Sequence, residues 1–343
     1  MNVTRIGLDL AKNVFQFHGV DRDERATLKR QLKRSQVIPF FEKIPPCKIG
    51  MEACAGAHYW ARKFAQMGHD VRLIAPQFVK PYVKSQKNDA NDAEAICEAV
   101  GRPNMRFVAV KTVAQQDMQA VHRIRSELVK ARTGKVNQIR GFLAEYGIVI
   151  LPRIEQIRRA IPLLLEDPEV DLTPLFRRLL EGLRGDLVEL DRRVGELDQE
   201  IAVAAKEDPA AKRLQTVPGI GPITATALVA SAGDGRQFRR GRDLAAWLGL
   251  TPGQHSSGGK DRLLGISKRG DSYLRTLLIH GARAVLRTAG NKSDPRSRWL
   301  AGVAARRHKN VAAVALANKN ARIAWALLTR GGSYDSQHGM ATA

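Results

Sequence analysis

The chain opens on a period-two alternation of apolar and polar residues. Residues 4–10 (TRIGLDL) and 14–20 (VFQFHGV), separated by Ala11-Lys12-Asn13, predict a strand hairpin. Residues 26–33 (ATLKRQLK) supply a third strand of an antiparallel meander. An amphipathic helix is predicted over 35–43, a buried strand over 48–53, a helix over 57–67 and a strand over 71–75 that stops at Pro76. A helix beginning near Asp89 carries Ala93, Ile96, Cys97 and Val100 on one face. Three strands followed by helix, strand, helix, strand, helix is the element order of an α/β, RNase H-like fold, a mixed central sheet covered by helices.

From 113 to 146 the pattern turns helical and basic, with Arg123, Arg125, Lys130, Arg132, Lys135 and Arg140. Between 172 and 203 a heptad emerges: Phe176, Leu180, Leu183, Leu187, Leu190, Val194, Leu197 and Ile201 alternate spacings of four and three. That stripe predicts a coiled-coil arm joining subunits, and an antiparallel helix pair within one chain would show the same stripe. Gly182, Gly185 and Gly195 weaken the helix somewhat. After Asp208-Pro209 the composition shifts again. From Arg262 onward there are fifteen Lys or Arg residues and three acids, in Ala-rich helical stretches over 273–287 and 311–328. The division predicted is a metal-binding domain over 1–110, a basic helix and dimerisation arm over 111–205, a mainly helical domain over 206–330 and a frayed, flexible tail over 331–343.

Charge narrows the partners. Fifty-six Lys and Arg against 34 Asp and Glu leave a net charge of +22 over 343 residues. An excess of that size favours polyanions, because each phosphate that is neutralised releases condensed counterions. Cys47, Cys54 and Cys97 lack paired or zinc-ligand spacing and suit a reducing cytosol. No apolar run is long enough to span a bilayer, and the first twelve residues alternate like a strand, unlike a signal peptide. The expectation is a cytoplasmic protein with no membrane partner.

Four carboxylates stand out by position. Asp9 ends the first strand, Glu52 ends a buried strand, and Asp89 and Asp92 share a face at the start of a helix. Ligands of open sheets lie beyond strand ends, so Asp9 and Glu52 converge if their strands are neighbours. Hard divalent cations require oxygen ligands, and metal-assisted phosphodiester chemistry uses such a cluster. Singly, each has an ordinary reading: a strand-end Asp is usually a solvated turn residue, and Asp89 would serve as a helix N-cap. Glu52, flanked by Met51, Ala53 and Cys54, is costly to bury without a cation.

Residues 214–230 place a Pro-Gly-Ile-Gly turn between two helices, the helix-hairpin-helix signature. Gly219 and Gly221 let backbone N–H groups approach a DNA phosphate, and the helix N-terminus that follows at Thr224 favours the anion. Farther on, Gly249-Leu-Thr-Pro252 precedes Ser256-Ser-Gly-Gly-Lys260, with Arg262, Lys268 and Arg269 close behind. Either Ser256 or Ser257 would serve as a nucleophile activated by cations or a metal. No local Ser-His-Asp set is evident, and on residues alone this stretch reads as a flexible basic loop with bystander serines.

Together these motifs resemble the DEDD transposases and site-specific invertases of bacterial insertion sequences, bridge-RNA-guided serine recombinases. The resemblance runs from Gly7-Leu-Asp-Leu-Ala-Lys12 to Ala-Asn-Lys-Asn-Ala-Arg322. It implies an N-terminal domain like that of the Holliday-junction resolvase RuvC, with Mg2+ held by Asp9, Glu52, Asp89 and Asp92. It implies a serine, falling on Ser257 with Ser256 as the alternative, that attacks a DNA phosphate to give a covalent phosphoserine. It further implies donor and target DNA, a structured noncoding RNA that pairs with both, and a homo-oligomer, dimer or tetramer, in which one subunit's carboxylates meet another's serine. Lys260, Arg262, Lys268 and Arg269 would then position phosphates. Two rivals stand beside this reading: a metal-dependent junction resolvase using water, and a non-enzymatic helix-hairpin-helix DNA binder.

Overall fold

The computed structural model describes residues 2–84 and 88–335, which form two compact units, 1–113 and 114–343. In the first unit the alternating N-terminal segments become β1 (Arg5–Leu10), β2 (Val14–Val20) and β3 (Ala26–Lys33), paired antiparallel. After α1 (Val37–Phe41), β4 (Lys48–Glu52) returns parallel to β1. Helix α2 (Ala57–Gln66) leads to β5 (Asp70–Ile74), parallel to β4. Then follow α3 (Pro76–Val79), α4 (Asp89–Val100) and a short antiparallel β6 (Phe107–Val108). The sheet order is β3-β2-β1-β4-β5-β6. This mixed sheet is consistent with an RNase H-like domain, and β6 is the one strand that the apolar alternation does not reveal.

The alternation sorts the two faces. Ile6, Leu8, Phe15, Phe17, Ile49 and Met51 are fully buried in one core with Phe41, Trp60 and Phe64 of α1 and α2. Each such side chain contributes roughly 1.5–3 kcal/mol when removed from water. The intervening residues Gly7 and Gly50 face α4. A Cβ on Gly7 would lie 2.2 Å from the Ala93 carbonyl oxygen and 2.3 Å from the Cys97 nitrogen, and one on Gly50 would lie 2.7 Å from Val100 Cβ. The two glycines therefore let the α4 backbone rest directly on β1 and β4. Since Cys97 Sγ reaches the Arg5 carbonyl while Ala93 meets Gly7, α4 runs antiparallel to β1 and its N-terminus comes to the Asp9 end. Gly7→Ala is expected to destabilise this unit by about 3 kcal/mol, at the upper end of ordinary overpacking, because the obstacle is backbone on both sides. Thermal unfolding followed by circular dichroism measures it.

The second unit begins with α5 (Val113–Ala144), α6 (Ile154–Glu166) and α7 (Pro174–Glu207). Ion pairs join Arg125 to Asp198 (2.5 Å), Arg132 to Asp191 (3.1 Å) and Lys135 to Asp186 (2.9 Å). Partner numbers fall along α7 as they rise along α5, so the helices are antiparallel. Such partly exposed pairs are worth little each, and the pairing rests on apolar burial. Phe176, Leu180 and Leu187 of the heptad pack with Val136, Ile139 and Leu143 of α5 and Ile157 and Ile161 of α6. The buried stripe thus belongs to an antiparallel helix pair within one chain, which corrects the expectation that these positions are covered by another subunit.

Seven further elements, of which α10, β7, β8 and α12 have no counterpart in the sequence reading, lead into the unit's second core. They are α8 (Pro209–Gln215), α9 (Pro222–Ala232), α10 (Gly241–Trp247), the hairpin β7 (Pro252–Gln254) and β8 (Leu263–Ile266), α11 (Ser272–Ala289) and α12 (Pro295–Arg306). The last helix, α13 (Lys309–Arg330), runs through that core with Ala312, Ala313, Ala317, Ala321 and Ala324 buried, small side chains that admit α10 and α11 closely. The start of the expected flexible tail is docked: the Tyr334 N–H donates to Thr216 Oγ1 (2.9 Å), and the Arg296 guanidinium lies 5.5 Å from the Tyr334 ring centre. Residues 336–343 lie outside the described residues.

Candidate active site

β1 and β4 pair in register Gly7↔Gly50 and Leu8↔Met51, so the next step sets Asp9 beside Glu52 on adjacent parallel strands, about 4.8 Å apart. Both carboxylates follow the glycines onto the α4 face. Asn88 caps α4, accepting a hydrogen bond from the Asn91 N–H at 2.8 Å. Asp89 is therefore not the cap, and it stands with Asp92 in the first helical turn. A helix N-terminus favours anionic groups there. The electrostatics register the convergence. Burial pushes the Asp9 carboxyl up to about 6, and Asp89, Asp92 and Glu52 push in the same direction. Among the described residues no three acidic, His or Cys side chains close on a single point at ligating distance. The four acids thus share one electrostatic field without closing into a cage in this structure. Burial followed by Glu52 and Asp9 also raises the Cys54 thiol, leaving it protonated and unsuited to nucleophilic work.

In the second unit, α8 and α9 flank the Pro218-Gly219-Ile220-Gly221 turn. Gly219 adopts φ +94°, and its carbonyl oxygen would be 1.8 Å from a Cβ on Gly281, so the turn sits flush on α11. Asn320 Nδ2 (3.1 Å) and Arg296 Nη1 (3.3 Å) donate to the Pro218 carbonyl, anchoring the turn from beneath. Gly221 is exposed at the head of α9, but the Thr224 side chain is buried. Thr224 therefore has only its backbone N–H to offer a phosphate.

The serine segment is an ordered hairpin. The Lys260 N–H donates to the Ser257 carbonyl (3.1 Å), and Gly258 and Gly259 between them both adopt positive φ, +55° and +76°, as a two-residue turn of the primed type requires. The two serines differ. Ser256 Oγ accepts from Gln254 Nε2 (2.8 Å) and the Arg262 N–H (3.3 Å), which engages its lone pairs. Ser257 Oγ makes no hydrogen bond among the described residues and is exposed beside the turn with Lys260 and Arg262. Lys268 and Arg269 are exposed at the hairpin base, where the Lys268 N–H donates to the Gly249 carbonyl (3.2 Å) and Arg275 Nη1 to the Leu248 carbonyl (3.1 Å).

Known protein families match both halves of the chain. The sequence profile of the IS116/IS110/IS902 transposase family matches residues 211–298, and the DEDD transposase profile of the IS110 type matches residues 6–148. A probable family 20 transposase of Pseudomonas aeruginosa is 57% identical over 331 residues, covering 96% of this chain and 98% of the relative. The chain belongs to the IS110/IS116/IS902 transposase family. The transposase of insertion sequence element IS1111A from Coxiella burnetii is 49% identical, covering 96% of this chain and 90% of its own. That of element IS1328 from Yersinia enterocolitica is 46% identical, covering 96% and 98%. A transposase is an enzyme that cuts and rejoins DNA, so the phosphodiester is the bond to be broken.

Two groups in the transposase escaped the sequence reading because their partners are far apart in the chain. Buried His122 of α5 meets Thr226 Oγ1 of α9 (3.0 Å) and Tyr273 OH of α11 (3.1 Å). Since Thr226 Oγ1 donates to the Pro222 carbonyl (2.8 Å), the histidine Nε2–H donates to Thr226 and Nδ1 accepts from Tyr273. Burial, then Arg125, lowers this histidine to about 4, so it is a neutral clamp between the helical hairpin and the helix after the serine hairpin. In the first unit, His58 Nδ1 accepts from the Lys111 N–H (3.1 Å), with Nε2 3.1 Å from Lys111 Nζ. Burial, then Lys111 and Arg62, lowers His58 to about 4. Among the described residues no helix is long and apolar enough to cross a membrane.

Proposed function

We propose that this transposase cuts and rejoins DNA with Mg2+ held by Asp9, Glu52, Asp89 and Asp92 and with Ser257 as the nucleophile. The observation that carries the reading is the β1–β4 register, which puts Asp9 next to Glu52 under the N-terminus of α4. Magnesium there would neutralise the scissile phosphate and polarise it towards attack. Asp9 and Glu52 hold the cation from the sheet, and Asp89 and Asp92 hold it from the helix. Ser257 Oγ forms a bond to phosphorus, the bond from phosphorus to the 3′-oxygen breaks, and the serine proton passes to solvent while the 3′-oxygen gains one. Attack by another 3′-hydroxyl reverses the exchange. One phosphoester replaces another at each step, so rejoining needs no ATP. Ser257 is favoured over Ser256 because its oxygen is not engaged in bracing the hairpin.

Lys260, Arg262, Lys268 and Arg269 bind backbone phosphates around the reacting group, and backbone N–H groups at Gly219 to Thr224 hold a second phosphate. The net charge of +22 favours nucleic-acid partners, and the family resemblance leads us to read these as donor and target DNA with a structured noncoding RNA, gathered by a homo-oligomer that is a dimer or tetramer. Chelation tests the metal. With EDTA, cleavage of element-end DNA should fall to background and return with Mg2+ or Mn2+. Full cleavage in EDTA would overturn the metal site, leaving a purely serine-based enzyme.

A further inference from the structure

At the Asp9 end of β1, on the α2 face of the sheet and opposite the α4 face that carries the acids, lies a concavity that the chemistry above does not use. A cleft of about 590 Å³ is walled by Asn13 of the β1–β2 turn and Val14 at the start of β2, by Lys33 at the end of β3 with Arg34 and Ser35 after it, and by Tyr59 and Trp60 of α2. That volume is in the range of small-ligand sites. Two of the three segments follow elements that carry the acids. The turn with Asn13 follows β1 directly after Asp9, and α2 starts five residues beyond Glu52.

The lining pairs aromatic faces with cations. Trp60 is the buried floor, set edge-on against Phe15 at 5.1 Å. The exposed Arg34 guanidinium spreads 5.2 Å from the Trp60 ring centre, and the Arg34 N–H donates to the Asn13 carbonyl (2.9 Å), fixing the rim. Tyr59 is 44% exposed, stands edge-on to Trp60 at 5.4 Å, and carries Lys63 Nζ 6.0 Å from its ring centre. Neither Lys33 nor Arg34 forms an ion pair with a carboxylate among the described residues. A partly exposed tyrosine ring beside cations that form no ion pair matches the two surfaces of a nucleotide, a flat base and a charged phosphate. A base paired in a duplex has its faces covered by its neighbours, so the platform selects an unpaired one.

We propose that this cleft binds one unpaired nucleotide of a single strand, its base stacked on Tyr59 and its phosphate held by Arg34 and Lys33. The subsite rests on reading the carboxylate end as the place where a strand is cut, and it would hold that strand, or an RNA strand threaded beside it, as it leaves the reacting phosphate. Asn13 and Ser35 supply hydrogen-bonding edges without a sequence preference.

The test uses the full chain in EDTA, so that no cleavage intervenes, with fluorescent oligothymidine and oligouridine of roughly ten nucleotides and a duplex control. Tyr59→Ala should weaken single-strand binding by roughly ten-fold, Tyr59→Phe should keep it, and duplex affinity should stay unchanged. Arg34→Ala should lower the salt slope of single-strand binding by about one. A stronger effect on oligothymidine assigns the DNA strand, and one on oligouridine assigns the RNA. Unchanged single-strand binding by Tyr59→Ala overturns the site, as does equal weakening for single strand and duplex. Asp9→Asn should bind the oligomers at least as well as the unmodified chain. If that variant still cleaves with Mg2+, the carboxylate reading fails while the nucleotide site stands on its own binding result.

Discussion

Replacing Ser257 by alanine is expected to abolish strand cleavage and the protein–DNA adduct together, by at least roughly a thousand-fold, the scale on which a covalent nucleophile is missed. Ser256→Ala should leave cleavage within about ten-fold. The contrast follows from the hairpin. Ser256 Oγ already accepts hydrogen bonds from Gln254 and Arg262, so its loss loosens the turn without removing a reacting atom. Ser257 is one residue nearer the Gly258-Gly259 turn, and its oxygen carries no such duty among the described residues. Quantifying nicked DNA and detergent-resistant adduct for both variants separates them. Full cleavage by Ser257→Ala, with no adduct in either protein, would instead describe a resolvase in which water attacks.

Asp9→Asn is expected to have two opposite effects. Cleavage should fall by at least roughly a thousand-fold, because the proposed cation would lose one of its four carboxylates. The metal-free protein should nevertheless become more stable at pH 7.5. Asp9 is pushed up to about 6 in the folded chain from an ordinary value of 3.8, by burial and then by its acidic neighbours. A carboxyl with a raised folded value binds more protons folded than unfolded between those limits, so folding is progressively penalised as pH rises from about 4 to 6 and fully penalised above. Allowing for solvent screening of a half-buried group, the penalty is roughly 1–2 kcal/mol. Asparagine removes it, so the variant's advantage should vanish near pH 4. Differential scanning calorimetry in EDTA at the two pH values measures this. Destabilisation of the variant at pH 7.5 would mean that Asp9 is held by a favourable partner and not crowded by like charges.

Much of the first unit was legible because one face of its sheet is buried: Ile6, Leu8, Ile49 and Met51 alternate with Gly7, Asp9, Gly50 and Glu52, so period two alone separates core from site. The positions of Asp89 and Asp92 were legible as a helix start, but their arrival at Asp9 depends on the close approach of α4 at Gly7 and Gly50, which no local pattern announces. Elsewhere the sequence was ambiguous for a physical reason. The heptad of α7 specifies a helical partner without saying whose, and α5 of the same chain provides it. Gly- and Ser-rich residues 253–260 read as a loose loop because the left-handed turn at Gly258-Gly259 orders them through backbone geometry and not through apolar side chains. The cleft at Tyr59 and Trp60 was invisible because its walls come from three separate segments.

The proposed reaction forms a phosphoserine with magnesium at the carboxylates. The measurement that meets it most directly is mass spectrometry of the peptide left attached to DNA after the full chain has been incubated with Mg2+ and element-end DNA, then denatured and digested. A nucleotide-bearing peptide modified at Ser257, absent from the Asp9→Asn protein, is the predicted result. A DNA-linked peptide that does not contain Ser257, or cleavage that proceeds with no linked peptide at all, would contradict it.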